Sequence, residues 1–187
     1  MKKRFVYLPD LSEEERAKLT PMPTPWPLRF NKLKFGVYCY NTLRCSVILS
    51  HSQFMPDSKL LGPSGPPEPD DKKYWHANFS LDPSMMRDGY PPGPMWLDWT
   101  SLDGVEHEAE LDFKEIFPDR LVLHNVPREE IKVGWGFRVW ADALVEINDR
   151  TVNVYMKALV VTQHPQNPED PHSNGRRDLI LAWTKTY

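Results

Sequence analysis

From Val105 to Phe113 the chain reads VEHEAELDF, an unbroken alternation. Val105, His107, Ala109, Leu111 and Phe113 share one parity. Glu106, Glu108, Glu110 and Asp112 share the other. Successive side chains of a strand point to opposite faces, so this segment predicts a strand with one apolar face and one row of carboxylates. Residues 95–102, MWLDWTSL, precede it, and Leu102-Asp103-Gly104 marks the turn between them. A two-residue turn at Asp103-Gly104 would set Trp99 opposite Glu108 and mix apolar with charged side chains on both faces. A three-residue loop, with Gly104 left-handed at a G1 bulge, pairs Trp99 with His107, Leu97 with Ala109 and Met95 with Leu111. A one-residue slip exchanges the two faces, so burial selects the second register. Trp96, Asp98 and Thr100 then join Glu106, Glu108 and Glu110 on the polar side, and His107 is expected to stack on Trp99.

The rest of the chain carries the same β signature. The segments 34–40, 44–49, 73–79, 120–124, 137–147, 151–163 and 179–187 are rich in aromatic and β-branched residues and are separated by turn residues. Residues 34–49 read as a hairpin around Asn41-Thr42-Leu43, and 137–163 as a second hairpin around Asn148-Asp149-Arg150. Ser12-Glu13-Glu14-Glu15 has the spacing of a capping box and predicts a short helix ending before Pro21. Pro21, Pro23, Pro25 and Pro27 then predict an extended arm whose Trp26 packs on the main domain. Pro127–Ile131 predicts a single helical turn. Long connections rich in proline span 55–73, 81–94 and 163–178. About nine strands joined by hairpins and loops predict a mainly β protein, an antiparallel β-sandwich with a β-barrel as the alternative. The expected organisation is an N-terminal arm over 1–32 and a single β domain over 33–187.

With 187 residues the chain is long enough for a full hydrophobic core. Its net charge of −3 and the lack of any Lys/Arg run beyond Lys2-Lys3-Arg4 argue against nucleic acid as a partner. No segment has the length of a membrane span. The apolar run Phe5–Leu8 is too short for a secretory core. A cytoplasmic location is therefore expected, with the periplasm as the alternative if the sequence is a trimmed form of an exported chain. Cys39 and Cys45 would face each other across the first hairpin; a disulfide and a reduced pair both fit that placement.

Signals of catalysis are sparse. Gly62-Pro63-Ser64-Gly65 lacks the spacing of a nucleophile elbow. Gly134-Trp135-Gly136 lacks the third glycine and the helix of a dinucleotide site. The six histidines show no helical metal-ligand pair, and neither a metal nor a cofactor is expected. Acid–base chemistry needs two carboxyls tuned apart around a cleft, whereas carboxylates alternating along one strand share a single solvated environment. The residues point instead to a binding protein whose docking face is Trp96, Asp98, Glu106, Glu108, Glu110 and Asp112, suited to a basic protein surface, with the 55–73 loop as a second contact region. The alternative is a small-ligand or carbohydrate-binding β protein with an aromatic pocket formed by Trp75, Trp135, Trp140 and Trp183.

Several motifs resemble the bacterial domain-of-unknown-function family DUF2931: Phe35-Gly36-Val37-Tyr38 opening a strand, PMWLDWTSL at 94–102, the charged strand at 105–113, and Phe117-Pro118 with Val126–Ile131 ahead of the hairpin at 137–163. The resemblance covers roughly residues 33–163. Members of that family are typically small exported lipoproteins, some beside toxic effectors of the type VI secretion system. The resemblance therefore implies an immunity protein that neutralises a secreted toxin by occlusion. This chain differs in having no lipid-acceptor cysteine near its start, Cys39 lying far too deep.

Overall fold

Strands of alternating polarity pair into two sheets that turn their apolar faces toward each other. A computed structural model describes residues 12, 23–50, 52–54, 63–79, 81, 87, 89–91 and 93–187. The strands are β1 (Phe30–Tyr40), β2 (Thr42–Leu49), β3 (Ser52–Phe54), β4 (Met95–Ser101), β5 (Glu106–Leu111), β6 (Val139–Asn148), β7 (Thr151–Ala158), β8 (Val160–Val161), β9 (Gly175–Arg176) and β10 (Leu179–Thr186). One sheet has the order β1-β6-β7-β10, the other β3-β2-β4-β5, and β8 pairs with β9 in a small ribbon. The architecture is the expected sandwich, and it does not close into a barrel. Among the described residues all strand pairs are antiparallel except β1 with β6, which run parallel, the second sheet lying in the long connection that such a pair needs.

The core is the space between the sheets. Leu33, Phe35 and Val37 of β1, Ala143, Val145 and Ile147 of β6 and Val152, Val154 and Met156 of β7 pack there with Val47, Leu49, Met95, Leu97 and Trp99 of the second sheet. Leu28 and Phe30 are also buried in it. β1 itself begins at Phe30. Trp26 is 44% exposed and meets His124 edge-on, with the Arg128 guanidinium over its ring. The helix expected from Ser12 falls, apart from Ser12 itself, outside the described residues.

Three local expectations are corrected. Residues 34–49 do not form a hairpin. β1 belongs to one sheet and β2 to the other, and the chain turns the corner at Asn41 with φ 51°. Cys39 and Cys45 both point into the core at this corner, and a disulfide between them ties the two sheets, Cα to Cα 6.7 Å. Residues 73–79 are not a strand. Asp71–Tyr74 is a helical turn, and the chain then crosses the first sheet in extended form, bridging β1 only at Phe79. Residues 120–124 form a single bridge from Leu121 to Arg29 rather than a strand. The turn at 128–130 and the final strand are present as predicted. Among the described residues no helix is long and apolar enough to cross a membrane.

Residues 63–79 form a strap that covers much of the outer face of the first sheet. Trp75 stacks on Tyr38 at 4.3 Å and lies edge-on to Tyr155 at 5.7 Å. Its indole N–H donates to Tyr40 Oη at 3.1 Å. Burial is the main cause that pushes the Tyr40 phenol up to about 12. The strap passes so close to Gly36 that a Cβ there would lie 2.8 Å from the His76 carbonyl oxygen, which requires glycine. Lys72 reaches down to the buried Glu146, and Lys157 donates to the Lys73 and Trp75 carbonyls at 3.1 and 2.8 Å.

Candidate binding face on the second sheet

The hairpin register derived from burial is the one observed. Met95 pairs with Leu111, Leu97 with Ala109 and Trp99 with His107. Gly104 has φ 84°, and the Gly104 and Ser101 N–H groups close the loop on the Ser101 and Val105 carbonyls, both at 3.0 Å. His107 stacks on Trp99 with ring centroids 5.1 Å apart. Trp99 is wholly buried and its indole N–H donates to the Asp149 carbonyl at 2.7 Å, so the tips of the two hairpins are clasped together. Asp149 also accepts from the Leu102 N–H at 2.9 Å, and Arg150 pairs with Asp103. One residue of the apolar parity departs from expectation: Val105 lies in the loop and is 45% exposed.

On the polar side three rows cross the sheet. Ile48 lies beside Trp96 and Trp96 beside Glu110; Ser46 beside Asp98 and Asp98 beside Glu108; Arg44 beside Thr100 and Thr100 beside Glu106. Ser46, Ile48, Trp96, Asp98, Glu108 and Glu110 border a shallow groove of about 480 Å³. Its floor is apolar, with Trp96 52% and Ile48 41% exposed. Unlike the first sheet, this face has no strap over it among the described residues.

Five of the six residues expected on the docking face are therefore brought together: Trp96, Asp98, Glu106, Glu108 and Glu110. Asp98 is not a free charge, because Arg44 grips it with both guanidinium nitrogens. Asp112 lies past the end of β5. It is the N-cap of the helical turn Phe113–Ile116, its carboxylate accepting from the Lys114 N–H at 2.8 Å, so it leaves the docking row. Of the 55–73 loop, residues 55–62 lie outside the described ones, and none of 63–73 borders this groove: Ser64 and Gly65 bond to Thr42 and Asn41 at the corner between the sheets, and Lys72 and Lys73 lie over the first sheet. Arg44, Ser46 and Ile48 are the members the expectation lacked. Their signal is the polar parity of β2, on which Ile48 is the odd apolar residue.

Magnitudes separate the roles. Neighbouring glutamates on β5 stand about 7 Å apart, where like charges in water repel by about 0.6 kcal/mol. That is too small to demand a partner but enough to steer one. Glutamates on an edge strand also block edge-to-edge pairing. Covering Ile48 and Trp96 is worth more, about 1.5–3 kcal/mol for each side chain fully buried.

Elsewhere, Ser101 Oγ donates to Asp103 Oδ1 at 2.5 Å and lies 3.0 Å from His107 Nε2. The buried hydroxyl stands between the acid and the imidazole, whereas a nucleophile needs the imidazole in the middle. This cluster holds the loop. The first bond, followed by the Arg150 guanidinium, keeps the Asp103 carboxyl down at about 2. Among the described residues no three His, Cys, Asp or Glu side chains gather as a metal set. The four tryptophans of the alternative pocket do not converge: Trp135 and Trp140 border one depression, Trp183 another, and Trp75, itself part of the strap, is buried against the first sheet. Comparison with family models, with curated proteins and with solved structures gave no match.

Proposed function

We propose that this is a binding protein whose outer β3-β2-β4-β5 face docks a basic protein surface, and that it serves as an immunity protein against a secreted bacterial toxin. The observation that carries the docking reading is the exposed Ile48–Trp96 floor flanked by Glu106, Glu108 and Glu110 on a sheet face that no described segment covers. Edge protection accounts for the glutamates but not for a half-exposed tryptophan beside an isoleucine. An apolar centre with a charged rim is the form in which burial supplies affinity and charge supplies rate. The toxin-neutralising role is supported by the motif resemblance described above. Occlusion of an active site needs only a complementary surface and no chemistry of its own.

The test uses the intact chain as bait in source-cell lysate, beside a Trp96→Ala/Glu108→Lys variant. A captured basic protein should be lost from the variant, should be toxic when expressed alone and should be relieved by co-expression of this chain. Equal capture by both baits refutes the face, and a captured protein that is harmless alone refutes the immunity role.

A further inference from the structure

One end of the first sheet's outer face is left uncovered by the strap and by the other described residues, and that end is strongly basic. Lys34 of β1, Arg138 just before β6, Lys157 of β7 and Arg177 just before β10 border a depression of about 260 Å³ whose wall includes Trp140, 55% exposed. Among the described residues the single carboxylate lining it is Asp142, already approached by the Ala77 N–H at 3.4 Å. Among the described residues neither Arg138 nor Arg177 has an acidic partner. Lys32 and Lys34 stand over the Trp140 ring at 5.2 and 4.8 Å, which orients them without neutralising them. Lys157 is held in place by the strap carbonyls, and its pKa is lowered, first by burial and then by Arg177, with Asp142 acting against both.

We propose that this depression is a binding site for a compact, multiply charged phosphate. Four cations from four separate segments converge on a volume at the small end of ligand sites. Concentrated negative charge placed among them would relieve their mutual repulsion at a single point. An acidic peptide extends over about 3.4 Å per residue and spreads its charge along a length this depression lacks. Guanidinium groups bind phosphate oxygens through paired N–H donors, and lysines supply the remaining point charges. The site lies on the face away from the proposed docking groove and does not depend on it.

Calorimetry of the full chain at low salt tests this, with inorganic tripolyphosphate, orthophosphate and adenosine triphosphate as titrants. Saturable binding of tripolyphosphate at least tenfold tighter than orthophosphate is expected. Arg138→Gln/Arg177→Gln should weaken it at least tenfold, while Lys185→Gln leaves it unchanged. Both arginines are exposed, so an unaltered melting curve of the double variant shows that folding is not at issue. Adenosine triphosphate binding tighter than tripolyphosphate assigns the site to nucleotides, and equal binding to free polyphosphate; either supports it. Binding that does not saturate, equal loss in Lys185→Gln, or tighter binding of a single-stranded oligonucleotide overturns it.

Discussion

Replacing Lys72 by Met should loosen the strap and cost about 2 kcal/mol. Glu146 is 1% exposed, and its Oε2 receives Lys72 Nζ at 3.0 Å, Asn153 Nδ2 at 2.9 Å and Tyr155 Oη at 3.1 Å. Without the ammonium, a buried carboxylate is left with neutral donors only. Breaking a fully enclosed pair in this way costs about 3–5 kcal/mol. The Lys72 side chain is 41% exposed, so water reaches the gap and the cost falls to about 2 kcal/mol. In a domain of this size that is about 4–8 °C in Tm. Glu146→Gln should cost about 1–2 kcal/mol, because the amide keeps some of its hydrogen bonds. The double variant should then cost little more than Glu146→Gln alone, a coupling of about 1–2 kcal/mol. Urea unfolding of the four proteins closes the cycle. Additivity within about 0.5 kcal/mol would refute the view that this ion pair pins the strap.

Burial alone would lower the Lys72 pKa; hydrogen bonds to Tyr155 and Glu146 and the Glu146 charge outweigh it and raise it. Its stabilisation is therefore complete below the ordinary lysine value of 10.5 and is lost as pH rises through the folded value, which melting from pH 9 to 12 should show for wild type and not for Lys72→Met. Asp103 has the opposite sign: its contribution is present above 3.8 and fades as pH falls toward about 2, so Arg150→Gln should flatten the acid limb of Tm against pH. The disulfide spans a sequence separation of 6, for which loop-closure entropy gives about 2 kcal/mol. Cys39→Ala/Cys45→Ala should lower the urea stability by that amount, and an unchanged midpoint would show the bond to be dispensable. Trp96→Ala should change stability by less than about 0.5 kcal/mol, since a surface side chain loses little on truncation, while Trp99→Ala should cost about 3–5 kcal/mol. Similar losses for the two would mean that the faces of β4 are wrongly assigned.

The β4–β5 register is legible in the sequence because its alternation is strict and only one pairing keeps the charges together. The corner at Asn41 is not, since β1 and β2 both bury alternate residues and a hairpin and a sheet-to-sheet turn leave the same pattern. Residues 73–79 look like a strand for their aromatic content, yet they supply no strand to either sheet, and Trp75 packs on tyrosines of the first one. Three of the eight residues of the binding face, Arg44, Ser46 and Ile48, come from a strand far from β4 in sequence; their polar parity is visible locally, but not which strand they lie beside. Asp112 could have been placed: Asp112-Phe113-Lys114-Glu115 is a capping pattern, and it competes with the strand alternation at its last residue.

Net charge misleads for the same reason. The value of −3 is a sum over the whole chain that hides two outer faces of opposite character, one lined by Glu106, Glu108 and Glu110, the other by Lys34, Arg138, Lys157 and Arg177. The four cations lie far apart in sequence, so no basic run announces them. A hydrophobic core separates the faces, and at ordinary ionic strength charges more than about 8–10 Å apart across solvent are largely screened. Ligands on the two faces should therefore bind independently. A basic partner held on the Trp96 groove should stay bound when tripolyphosphate is added at saturating concentration and 150 mM salt, and calorimetry should give the same polyphosphate affinity with and without it. Mutual displacement under those conditions would show that the two sites overlap, contrary to their placement on opposite sides of the sandwich.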